Sequence, residues 1–186
     1  MVQSVVTRAA KFAADAHEGS FRKGSSLPYI VHPMEAAAIV AGLTSDEEVI
    51  AAALLHDVIE DTPFTAEDIC KDFGERVAEL VKGESENKRE ELPAELTWRI
   101  RKEENIAHLC TSCIEMKMIA LGDKLSNIRS MQRDYASLGE ELWQRFNQKD
   151  KAQHGWYYRS MCDAVSELSH TEAWKELDRL IKEIFE

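Results

Sequence analysis

The stretch Ala51-Ala52-Ala53-Leu54-Leu55-His56-Asp57-Val58-Ile59-Glu60-Asp61 decides how this chain is read. Apolar residues flank the His-Asp pair on both sides. A histidine and an aspartate in such a run are costly unless they are hydrogen-bonded, ion-paired or bound to a metal. Together they offer the nitrogen and oxygen donors that a divalent cation takes. Ser45 or Asp46 can cap a helix carrying the pair, and Pro63 predicts its end near Asp61 or Thr62, because a residue before proline avoids the α region. On such a helix residues four apart share a face, so His56 lies beneath Glu60 and Asp57 beneath Asp61. Carboxylates this close raise one another's pKa unless a cation sits among them; a bound metal reverses that logic and keeps its ligands ionised. Taken alone, a buried His-Asp pair is more often a hydrogen-bonded core feature than a metal site.

Working outward, nearly every segment carries helical spacing. Val5 to Glu18 has an apolar stripe at Val5, Val6, Ala9, Phe12, Ala13 and Ala16. Gly19 to Tyr29 holds two Gly, three Ser and a Pro and reads as a loop. Pro33 suits the first turn of a helix to about Leu43. Thr65 with Asp68 predicts a capped helix, followed by a second short one after a break near Phe73-Gly74. Gly83 to Pro93 is a charged linker. Further helices are expected over Ala94–Cys110, Ile114–Met131, Leu138–Phe146, Asp150–Ser169 and Thr171–Phe185. No convincing strand pair appears. The expected class is all-α, a single-domain helical bundle over residues 1–186.

The chain of 186 residues is long enough to bury a real core, and 44% hydrophobic with 31% charged residues suits a globular protein. A net charge of −11 argues against general nucleic-acid binding, which needs a basic face. No apolar run approaches the roughly 20 residues of a membrane span, and the first residues lack a signal-peptide pattern. The expectation is a cytoplasmic protein without a membrane partner. Cys110-Thr111-Ser112-Cys113 is a lone CxxC with no second pair, and reduced helix cysteines are the simpler reading.

Two more segments strengthen the metal reading. Tyr29-Ile30-Val31-His32-Pro33 places His32 just ahead of a helix starting at Pro33, where a capping or core histidine is the plainer alternative. In Ile119-Ala120-Leu121-Gly122-Asp123-Lys124-Leu125-Ser126-Asn127, an Asp and a Lys interrupt an apolar helix; a buried ion pair is the alternative there.

In this order, His32, His56-Asp57 and Asp123 resemble the H…HD…D pattern of the HD superfamily of metal-dependent phosphohydrolases. With the flanking His17, Phe21-Arg22-Lys23-Gly24, Pro28-Tyr29-Ile30-Val31-His32-Pro33 and Leu121-Gly122-Asp123-Lys124-Leu125-Ser126-Asn127, the chain is similar to the hydrolase domain of RelA/SpoT proteins. The resemblance covers residues 5–165, ahead of a C-terminal helix over 171–185. It points to small stand-alone (Mesh1-like) alarmone hydrolases.

The resemblance implies that His32, His56, Asp57 and Asp123 bind one metal, Mn²⁺ or another divalent ion. It implies that Glu60 and Asp61 position or activate the attacking water. The implied substrates are the guanosine alarmones ppGpp and pppGpp, cleaved at the 3′-pyrophosphate to GDP or GTP and pyrophosphate. Arg22, Lys23, Leu125, Asn127, Lys151 and Tyr157 are the implied substrate contacts, with Ser130 beside them. Three departures stand out. Gly122 replaces an Ala, read as a packing change. The loop from Lys23 to Tyr29 is one residue longer. Gln153 stands where an Arg binds phosphate, leaving Lys149 or Lys151 to substitute, while Lys88, Arg89, Arg99 and Lys102 offer further cations. Two alternatives remain open: an HD phosphatase acting on a nucleoside monophosphate or NADPH, and a non-catalytic nucleotide-binding module. A homo-oligomer is also left open.

Overall fold

The computed structural model describes residues 3–85, 89 and 91–186. The fold is all-α as expected; among the described residues the only β feature is an isolated antiparallel bridge between Phe21 and Pro28. The chain gathers into two compact units, Met1–Ser85 with Ile114–Asp123, and Glu86–Cys113 with Lys124–Glu186.

The first unit is built around α3 (Glu47–Leu55), which packs against α1 (Val5–Ala16), α2 (Val31–Ala41) and α6 (Glu75–Glu84). Val49, Ala51, Ala52, Ala53, Leu54 and Leu55 are all buried, so beyond its acidic first turn α3 is apolar all round and sits at the centre. Burial of Leu55 alone is worth about 1.5–3 kcal/mol. Asp46 caps α3 by accepting the Glu48 N–H at 3.0 Å. Thr65 and Asp68 form a reciprocal capping box on α5 (Ala66–Phe73). Gly74, at φ 94°, makes the tight junction from α5 to α6 that a side chain would strain.

Two boundaries differ from expectation at functionally important places. The helix predicted to run unbroken to Asp61 stops at Leu55 and resumes as α4 (Val58–Asp61). His56 and Asp57 form the joint, and Asp57 sits at φ −92°, ψ −5°, in the sparsely used bridge region. Helix α2 starts at Val31, not Pro33, which puts His32 within its first turn. Proline is tolerated there because first-turn N–H groups need no intrahelical partner.

The second unit contains α7 (Ala94–Thr111), α9 (Lys151–Ala164) and α10 (Glu172–Phe185), with α9 packed on both others. It also holds the C-terminal part of α8 (Ile114–Leu138), whose first ten residues belong to the first unit. Helix α8 runs beyond the predicted end at Met131 because neither Gly nor Pro lies between Met131 and Gly139, which stands at φ 55°. Residues Gly139–Arg145 form a 3₁₀ helix. Leu177, Leu180, Ile181 and Ile184 of α10 are buried, and Arg129 grips Glu176 through two bonds of 2.8 and 2.6 Å.

Candidate metal centre and active site

The joint between α3 and α4 builds the site. At His56, the imidazole turns back so that Nδ1 lies 2.8 Å from the Ala53 carbonyl oxygen. A carbonyl can only accept, so Nδ1 carries the hydrogen and Nε2 is left with its lone pair. That Nε2 lies 3.3 Å from Nε2 of His32, 3.1 Å from Oδ2 of Asp57 and 3.8 Å from Oδ1 of Asp123. His32 Nε2 lies 3.4 Å from the same Asp57 oxygen and 3.2 Å from the same Asp123 oxygen. Both histidines are buried, as is Asp123.

This donor set fits a divalent metal. Ligands about 2.0–2.2 Å from one ion stand about 2.8–3.6 Å apart across octahedral or tetrahedral edges. Four of the five measured separations fall in that interval, and the 3.8 Å pair lies just outside it. Lone pairs meeting at such distances repel unless a cation lies between them. Burial would lower the pKa of His56, yet Asp57 and Asp123 outweigh it and push the imidazole up to about 10. Burial would likewise raise the Asp57 carboxyl, but His56 and His32 hold it well below the usual carboxylate range. A proton satisfies that demand for positive charge, and a divalent cation satisfies it more fully. His32, His56 and Asp57 form the only such metal-ligand group among the described residues, and Asp123 flanks both histidines.

Asp123 reaches this position because α8 lies against the backbone of α2. A β-carbon on Gly122 would stand 2.8 Å from the Ala36 carbonyl oxygen and 2.9 Å from Val40. The glycine is therefore more than a neutral packing change: it sets the approach of the helix turn that carries the fourth donor. Gly122→Ala is expected to destabilise the fold by about 1–3 kcal/mol through overpacking and to weaken metal binding. Thermal melts with and without metal measure both. Equal metal affinity in variant and wild type would show that α2 and α8 can separate without moving Asp123.

Of the predicted water-handling pair, Glu60 is half-buried on α4 and Asp61 is exposed. Asp61 Oδ2 accepts from the Tyr29 hydroxyl at 3.0 Å, and the same hydroxyl lies 2.7 Å from Asp57 Oδ2. Burial, reinforced by these carboxylates, pushes the Tyr29 phenol far up in pKa, so it remains a donor. The Arg22 guanidinium stands over the same ring, 5.6 Å from its centroid. Lys23 is exposed in the loop closed by Arg22 N–H to Leu27 carbonyl at 2.8 Å.

The remaining predicted contacts lie in the second unit. Leu125 is fully buried, Asn127 half-buried, and Tyr157 buried with its hydroxyl 3.4 Å from Asn105 Oδ1. Lys102 and Lys124 place ammonium groups 4.9 and 5.7 Å from the Tyr157 ring centroid. Lys151 donates to the Tyr135 hydroxyl at 2.9 Å and reaches Glu140 at 3.4 Å, so its charge is already engaged. Arg89 pairs with Glu104 through two bonds, whereas Lys88 lies outside the described residues. Gln153 accepts from Arg99, whose guanidinium stacks 3.3 Å from the Trp156 ring centroid. A guanidinium thus does stand beside Gln153, supplied from a different helix.

Two residues quoted within the motifs carried no assigned role: Tyr29, which joins the two carboxylates, and His17. His17 is buried, its Nε2 has no hydrogen-bond partner, and its ring lies 4.8 Å from that of Tyr29. Their spacing from His32, three and fifteen residues upstream, was the available signal, but it says nothing about which way a side chain turns after a loop.

An all-α fold with two histidines and two aspartates converging at a helix break defines a helical metal-site domain. The family model for the HD domain matches residues 9–152, across both units, and the chain belongs to that family. Over 125 residues it is 42% identical to a guanosine-3′,5′-bis(diphosphate) 3′-pyrophosphohydrolase of Haemophilus influenzae, an alignment covering 64% of this chain and 17% of that protein. A guanosine-3′,5′-bis(diphosphate) 3′-pyrophosphohydrolase of Aquifex aeolicus is 36% identical over 129 residues, 68% of this chain and 18% of its own length. The chain therefore spans under a fifth of these curated relatives. Among solved structures, a metazoan ortholog of SpoT, described as hydrolysing ppGpp, superposes with TM-score 0.78 at 27% identity, covering 98% of this chain and 97% of that one. A Listeria monocytogenes protein superposes with TM-score 0.73 at 33% identity, covering 87% and 100%. Among the described residues no helix is long and apolar enough to cross a membrane.

Proposed function

We propose that this protein hydrolyses the 3′-pyrophosphate of guanosine alarmones, ppGpp and pppGpp, to GDP or GTP and pyrophosphate, with Mn²⁺ as the metal. The convergence of His32, His56, Asp57 and Asp123 beside Glu60 and Asp61 carries this reading. A divalent ion held by those four residues supplies Lewis acidity at the reacting phosphoryl group and lowers the pKa of water. Mixed imidazole and carboxylate ligation suits Mn²⁺. Glu60 and Asp61 take the proton as water attacks phosphorus, and the 3′ oxygen leaves with the nucleoside. Arg22 and Lys23 offset phosphate charge or stack on the base, and Asn127 contacts the nucleoside. Tyr157, with Lys102 and Lys124 near its ring, is the aromatic contact. Leu125, being fully buried, serves as packing within its own unit. Lys151 would first have to leave Tyr135 and Glu140, so Arg99 is the better cation for the place of the missing arginine.

Support for the alarmone comes from the names of the relatives and from the hydrolase fold of the metazoan protein. The test is incubation of purified protein with Mn²⁺ and ppGpp, beside AMP, dAMP and NADPH, with chromatography of the products. GDP and pyrophosphate are expected. No ppGpp turnover together with clear orthophosphate release from another compound would replace this reading with the HD phosphatase one.

A further inference from the structure

The phenol of Tyr29 has one proton and two carboxylate acceptors. Its oxygen lies 2.7 Å from Oδ2 of the metal ligand Asp57 and 3.0 Å from Oδ2 of Asp61. The ring is held on several sides. His17 lies against it at 4.8 Å and 36°, His32 meets it edge-on at 5.9 Å and 80°, and the Arg22 guanidinium stands 5.6 Å away. The ring is half-buried, and these contacts restrain it so that its hydroxyl stays near both carboxylates.

We propose that Tyr29 is a positioning residue: its hydroxyl joins the metal ligand Asp57 to Asp61 and holds the Asp61 carboxylate in register with the metal. The proposal rests on the assignment of Asp61 to water handling. Two like-charged carboxylates would otherwise part, and Asp61 is exposed at the end of a four-residue helix. A neutral donor between them offsets part of the repulsion without cancelling the charge that Asp61 needs as a base. His17 fits the same arrangement. Burial lowers its pKa, so it faces Tyr29 as a neutral ring and adds no charge that would draw Asp61 away. The Arg22 contact extends the arrangement to the loop, so that the residue proposed to meet substrate and the residue proposed to handle water share one aromatic ring.

The test is Tyr29→Phe, which removes one oxygen and keeps the ring. Outer-shell partners of metal sites are worth about 10- to 100-fold in activity, so kcat should fall by that factor. KM should stay within about 3-fold and Mn²⁺ affinity should be little changed, because no ligand is lost. In an Asp61→Asn background the same change should cost nothing further, since the group it positions is gone. Unchanged kcat in Tyr29→Phe, or equal losses in both backgrounds, would overturn the proposal. So would a loss of Mn²⁺ that accounts for the whole effect. Assays use ppGpp, or whichever phosphate ester the wild type turns over if the alarmone is not the substrate, which separates this result from the substrate assignment. A crystal structure of Tyr29→Phe with Mn²⁺ gives a readout free of turnover. Asp61 is expected to leave its wild-type rotamer, and an unmoved Asp61 would also refute the proposal.

Discussion

Asp57→Ala is expected to abolish metal binding and activity together while the helical fold persists. Asp57 Oδ2 is the oxygen that both His32 and His56 approach, at 3.4 and 3.1 Å, and it also accepts the Tyr29 hydroxyl. Removing it leaves two imidazoles and Asp123, with one negative charge where there were two. A divalent ion in such a site loses a ligand and half the local carboxylate charge. Affinity should drop at least 100-fold, and kcat/KM by more than about 10³, since the step that depends on the ion goes with it. A thermal readout checks the metal loss without any substrate. Ligand at 100 times its Kd stabilises by about 2.7 kcal/mol, or about 5–11 °C in Tm for a chain of this size. Wild type should show that rise on adding Mn²⁺, and Asp57→Ala should not. The core of α3 lies before the joint, so Leu54 and Leu55 stay packed and far-UV circular dichroism should be unchanged. A variant that still gains several degrees from Mn²⁺ would show that Asp57 is not a ligand.

The all-α class and the candidate donor set were legible for different reasons, the class from helical spacing and the donors because they break a rule. His56-Asp57 and Asp123 interrupt apolar helices, and an expensive residue in an apolar run demands a partner that sequence order can suggest. Caps were equally legible, since Asp46 and Thr65 act through neighbours two or three residues away. The break at His56–Asp57 was not. Nothing in Leu55-His56-Asp57-Val58 disfavours a helix; the joint is made by a tertiary demand, that His56 turn to Ala53 while its Nε2 meets His32 twenty-four residues earlier. Tyr29 escaped for a similar reason, because a loop residue's direction depends on the hairpin-like closure around Phe21 and Pro28. Lys151 shows what sequence leaves out. A lysine read as a phosphate contact is held in the structure by Tyr135 and Glu140. Long-range side-chain partners decide such cases, and they have no local sequence signature.

Glu60→Gln is expected to separate chemistry from metal binding. Glu60 lies on α4, the short helix that begins directly after the proposed ligand Asp57, and it is half-buried rather than within the donor cluster. The substitution keeps the side chain's length and shape and removes its negative charge, and with it the capacity to accept a proton. Mn²⁺ should therefore raise the melting temperature of the variant as much as that of wild type. Turnover should fall about 10²- to 10⁴-fold, the usual worth of a positioned general base, with KM close to wild type because substrate contacts are untouched. Asp61→Asn gives the comparison that apportions the work. Asp61 is tied to Tyr29 and through it to Asp57, so part of its effect is exerted through geometry and should be shared with Tyr29→Phe. The measured bridge runs from Asp57 through Tyr29 to Asp61, and the loss of Glu60 should multiply with that of Tyr29. If Glu60→Gln kept full kcat, the proton would have to be taken by Asp61 alone, and the hydroxyl of Tyr29 would then sit on the only base in the site.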